Sequence, residues 1–185
     1  MPFGNLWLPV VLSAVAVFIV SAILHMVLKY HKRDYKALPN EEAVRAAIGG
    51  NLGPGLYFTP YCTDMKQAQD PAMKEKFVKG PVAMITIRPK GEMAMGKYLA
   101  LWFGFTLLTS FVAAYVARHT LAPGVSGIEV MRIVGTIAFA IYGMGSIIDS
   151  IWKGQPWSNT FLEMFDGAIY AVVTGLLFQV LWPKA

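Results

Sequence analysis

Five side chains of this sequence could take part in one piece of chemistry. His25, Asp149, Glu163 and Asp166 stand near the same ends of long apolar runs, and Tyr170 follows Asp166 by one helical turn. Ionisable groups within a hydrocarbon layer are costly and normally face a bundle interior or a wet cavity. A histidine among carboxylates there can relay protons, hold a cation, line the polar entrance of a substrate path or bind a divalent metal. A plainer account covers the same residues and is preferred. Asp149 and Lys153 are spaced i,i+4 and can pair along their own helix. Glu163 and Asp166 lie near a helix start, where negative charge is favoured in any case, and can also pair with Lys29 or other basic residues. His25 needs only a backbone or carboxylate partner.

Other reactive residue types are assigned no chemistry. Cys62, in Tyr61-Cys62-Thr63-Asp64, has no histidine nearby in sequence to activate it and reads as a reduced, non-catalytic thiol. His31 with Lys32-Arg33 follows the first apolar run directly and reads as a headgroup anchor. The ten methionines are scattered and serve as apolar filler. There is no phosphate-binding glycine loop, no G-x-S-x-G elbow, no H-E-x-x-H and no C-x-x-C-H. Histidines paired deep in the apolar runs, as b-type haem needs, are missing. No catalytic residue, metal or cofactor is therefore expected.

The elements that must position these groups follow from composition. The 185 residues are 56% hydrophobic and only 15% charged, with a mean hydropathy of +0.50. A soluble domain has about a quarter of its residues charged, so this class is excluded. The apolar runs are Leu6 to Leu28, Tyr98 to Ala117, Met131 to Ile148 and Thr160 to Leu181. Each is long enough to cross a hydrocarbon core of about 30 Å as a helix. The expected fold is an all-α integral membrane protein with transmembrane helices over 6–30, 96–117, 130–151 and 160–182. The first run lacks a basic leader and is too long for a signal peptide, so it reads as a retained helix.

Lysine and arginine set the orientation. The segment between the first two spans carries Lys29, Lys32, Arg33, Lys36, Arg45, Lys66, Lys74, Lys76, Lys79, Arg88, Lys90 and Lys97, and the turn between the last two carries Lys153. Arg118, Arg132 and Lys184 fall on the other side. The loop 31–95 is thus expected on the cytoplasmic side and both termini outside. The net charge of +5 belongs to this asymmetry, and no nucleic-acid partner is expected. All five tryptophans fall near span ends, at headgroup level.

The loop has its own structural signals. Asn40 with Glu41-Glu42 starts a helix that Gly49-Gly50 ends. Asp70-Pro71 starts another, stopped by Gly80-Pro81. Leu56 to Thr59 and Val82 to Ile87 are strand-like. The reading is a small strand–helix–strand cap, whose two strands are marginal alone and need a membrane-domain end or a neighbouring subunit to cover them.

Gly135, Ala138, Tyr142, Gly145 and Asp149 form one stripe, and Glu163, Asp166, Tyr170 and Thr174 another. These faces are expected to meet, as a hydrated seam or, preferably, as ordinary small-residue helix packing. The hairpin that joins them contains Lys153-Gly154-Gln155-Pro156-Trp157. With Phe165-Asp166-Gly167 and the closing Leu181-Trp182-Pro183, it resembles small four-span bacterial membrane proteins classed as domains of unknown function. The resemblance covers about the last fifty residues. It implies a bacterial inner membrane and no mechanism.

The function expected on these grounds is a non-catalytic accessory or assembly subunit. Its partners would be the lipid bilayer and other membrane subunits or copies of itself. The alternative is a small transporter or oligomeric channel with His25, Asp149, Glu163 and Asp166 at its cytoplasmic mouth. An enzyme acting on lipid or quinone through the same cluster ranks last.

Overall fold

The computed structural model describes residues 3–49 and 52–184. The chain is mostly helical and divides into two compact units. One holds the chain up to Asp34 and from Ala94 onward, and the other holds Tyr35–Met93. Among the described residues, four helical stretches are long and apolar enough to cross a membrane: Gly4–Val27, Met95–Thr120, Gly127–Lys153 and Trp157–Leu181. At most 39% of any of their apolar windows is buried within the chain, so most of each apolar surface is left for lipid or another chain.

The first helix, α1 (Trp7–Ala22), carries Pro9 in its first turn, where the missing N–H breaks no bond. It does not run on to residue 30 as expected. A π turn covers Ile23–Val27, closed by the Leu28 N–H donating to the Ile23 carbonyl at 3.1 Å. Leu28 then leaves the helix with ψ 130°, and a 3-10 turn follows at Lys29–Arg33. Hydropathy continues through the π turn to Leu28 and falls only at Lys29, so the sequence marks the end of the apolar run but not the change of helix type before it.

In the loop unit, α2 (Glu41–Gly49) starts where expected, after Asn40 at φ +53°, but Gly50 of its predicted stop lies outside the described residues. The strands β1 (Gly55–Thr59) and β2 (Ala83–Ile87) pair antiparallel, with Leu56 opposite Thr86 and Phe58 opposite Met84. Between them lie α3 (Met65–Gln69) and α4 (Pro71–Lys79). The Asp70 side chain caps α4 by accepting from the Ala72 and Met73 N–H groups, and Gly80 ends it at φ +64°. The sequence reading missed α3. Its signal is Asp64, which accepts from the Gln67 N–H at 2.8 Å, with Gln67 reaching back to the Thr63 N–H.

The long α5 (Met95–Thr120) packs on α1 through small polar groups. The Ser13 hydroxyl donates to that of Ser110 at 3.1 Å, and the Trp102 indole donates to the Ser21 hydroxyl at 2.8 Å. The third span is two helices rather than one: α6 (Gly127–Tyr142), a 3-10 turn at Met144–Ser146, and α7 (Ile147–Lys153). The interruption lies where α8 (Trp157–Leu181) comes closest. A Cβ on Gly167 would lie 2.5 Å from the Gly143 Cα, a separation that only glycine permits. A Cβ on Gly175 would lie 3.1 Å from Met131, close but less tight. These contacts bear out the expected meeting of the last two spans, although Gly143, Gly167 and Gly175 make the closest approach. At one end of the bundle Leu6, Val10, Ala113, Ala117, Val130, Val134 and Phe178 form an apolar core. Val17, Leu24 and Tyr170 form a second, with Trp102 and Tyr142 packed beside it.

Candidate functional site

Asp166 lies in the third turn of α8, on the face that also buries Thr160, Gly167, Tyr170 and Thr174. It is 3% exposed. A carboxylate this deep needs partners, and the chain just beyond α1 supplies them. Once Leu28 has turned the backbone, the Tyr30 hydroxyl donates to Asp166 Oδ1 at 2.5 Å. His31 Nε2 lies 2.7 Å from Oδ2, and His25 Nε2 lies 3.7 Å from the same oxygen. The π turn places His25 so that its ring stacks on that of His31, with centroids 4.1 Å apart.

Each histidine is oriented from behind. His31 Nδ1 meets Asp34 Oδ2 at 2.6 Å, and His25 Nδ1 meets the Ser21 carbonyl at 3.1 Å. Both partners are pure acceptors, so both Nδ1 atoms carry hydrogen and both Nε2 atoms face Asp166. The Asn159 amide donates to the Asp34 carbonyl at 3.0 Å and ties this turn to the start of α8. Burial alone would lower the basicity of the His31 imidazole. The hydrogen bonds to Asp34 and Asp166, with their charges, outweigh it and hold the His31 pKa above its ordinary value.

Of the five residues singled out from the sequence, the structure brings His25 and Asp166 together. Tyr170 lies one turn along α8, buried, with its ring edge-on to Tyr142 at 5.4 Å and its hydroxyl unpartnered among the described residues. Asp149 instead pairs with Lys153 at 2.6 Å, the i,i+4 pair of the plainer account. Glu163 is exposed and accepts from the Gln155 amide at 3.0 Å. Neither shares a bond with Asp166.

His31, read as a headgroup anchor, instead has a side chain only 11% exposed and stands at the centre of the cluster. Tyr30 and Asp34 were not singled out at all. The spacing His31-x-x-Asp34 was a usable signal, but a first helix continued to residue 30 points these side chains elsewhere.

His25, His31 and Asp166 each offer one ligand atom, and these atoms lie within 4.8 Å of one another. The set can hold a cation or share a proton between imidazole and carboxylate.

No family model matches this chain, and no curated protein and no solved structure matches it. The resemblance of the C-terminal hairpin therefore assigns no family.

Proposed function

We propose that this chain is a multi-pass protein of the bacterial inner membrane that catalyses no reaction and works by association, as an accessory or assembly subunit or as a homo-oligomer. In this reading the spans are the four apolar stretches Gly4–Val27, Met95–Thr120, Gly127–Lys153 and Trp157–Leu181, the loop 31–95 is cytoplasmic and both termini are outside. The positive-inside asymmetry supports that orientation. One observation carries the association: the loop unit leaves apolar side chains uncovered. Leu56, Phe58 and Met84 share one face of the two-stranded sheet and are 73%, 40% and 40% exposed, although the Phe77 ring approaches Phe58. Val78 on α4 is 88% exposed. Exposed apolar groups clustered in this way mark contact surfaces.

The test is extraction in mild detergent, followed by native mass and identification of every polypeptide in the particle. Other subunits or further copies of this chain are expected, and a lone monomer overturns the reading. A second reading, a small transporter or oligomeric channel, draws on the burial of Asp166 among two histidines and a tyrosine. Under it Asp166→Asn abolishes a transport activity in vesicles. Under the first reading the same change acts through stability alone.

A further inference from the structure

We propose that His25 Nε2, His31 Nε2 and Asp166 Oδ2 bind a divalent first-row transition-metal ion of the zinc type at the end of the helical bundle. The inference stands under either reading of the function, because it rests on the cluster alone.

The first argument is the direction of the lone pairs. With both Nδ1 atoms donating to acceptors, each ring turns its Nε2 toward one carboxylate oxygen, and the proton that the charged form of His31 shares with that oxygen is the one a metal ion would displace to free the lone pair. Lone pairs that converge on a carboxylate require a cation between them. A proton can serve His31 at 2.7 Å, but it does not bridge the 3.7 Å between His25 and the same oxygen. A larger cation serves both.

Distance is the second argument. Zinc holds nitrogen and carboxylate oxygen at about 2.0–2.2 Å, which places tetrahedral ligand atoms about 3.3 Å from one another. The 2.7 Å pair must open and the 3.7 Å pair must close, each by about half an ångström. The rings must also unstack so that their lone pairs meet. His25 can make this movement, because its side chain is 52% exposed.

The third argument is the outer shell. Metal-bound histidines almost always donate their other N–H to a carboxylate or backbone carbonyl, and ligating carboxylates are themselves hydrogen-bonded. Here Asp34 holds His31, the Ser21 carbonyl holds His25, and Tyr30 holds the far oxygen of Asp166. All three proposed ligands have such a partner. Two imidazoles and one carboxylate suit zinc, cobalt or iron rather than calcium or magnesium, which prefer all-oxygen sites. Three protein ligands leave a coordination position for water or a small ligand.

The experiment uses the full chain, purified in detergent without a polyhistidine tag. Cobalt(II) is titrated and followed by its visible d–d bands, and zinc is then used to displace it. Wild type is expected to bind one equivalent. His25→Gln alters a half-exposed ring, and is expected to weaken binding by at least about tenfold. Asp34→Asn, which touches no metal, is expected to weaken it by about ten- to a hundredfold, the usual effect of an outer-shell change. If wild type binds no cobalt, or if His25→Gln binds as wild type does, the proposal fails. Should that variant not fold, zinc-edge X-ray absorption on wild type decides alone. Two imidazole ligands support the site, and none overturns it.

Discussion

At the scale of single residues, one buried carboxylate organises the end of the bundle. Asp166 accepts from the Tyr30 hydroxyl, and a hydrogen bond to a charged group contributes about 1.5–3 kcal/mol. Tyr30→Phe keeps the ring and should lower stability by about that amount, read as an earlier unfolding transition in detergent. His31 makes a pH-dependent contribution. Its pKa in the folded protein is raised, so its bonds to Asp34 and Asp166 stabilise fully below the ordinary histidine value. That contribution is lost as pH rises through the folded value. With a chelator present, the melting temperature should therefore fall on going from mildly acidic to alkaline pH, and His31→Gln should flatten the slope. An equal slope in both proteins would remove His31 from the account.

At the scale of elements, α6 and α8 touch through glycine. A methyl group at Gly167 would meet the Gly143 backbone rather than a side chain that could swing away. Gly167→Ala should cost about 1–3 kcal/mol, the usual penalty of overpacking, whereas Gly104→Ala in α5, with nothing within 4 Å of its added Cβ, should cost nothing. Comparing the two melting temperatures checks both statements. The apolar helices, the paired strands and the Asp70 cap were legible in the sequence because each depends on local pattern: run length, alternation, or a capping side chain beside proline. The breaks at Leu28 and Gly143 were not: the charged residues from Lys29 mark where the apolar run ends but not which way the chain turns, and apolar residues continue on both sides of Gly143. The candidate site was legible only in part for the same reason. His25 and Asp166 are conspicuous as ionisable groups in apolar runs, but Tyr30, His31 and Asp34 join them only through a turn whose basic residues read as a headgroup anchor.

For the whole molecule, the single cysteine provides a test of orientation. Cys62 lies in the loop unit and is partly exposed. A membrane-impermeant maleimide should label it in inside-out vesicles and not in intact spheroplasts. The reverse pattern would invert the proposed topology. The bonds from Tyr30 and His31 to Asp166 also set an order in time. They join residues 136 and 135 positions apart. At about 5–20 residues per second, the ribosome delivers Asp166 roughly 7–27 s after His31. On the topology proposed above, the first span enters the bilayer before the carboxylate that Tyr30 and His31 bond to has been made. On that topology, a chain truncated before α8 is expected to be degraded faster than the full chain in a pulse-chase, because the carboxylate that anchors its turn is never supplied.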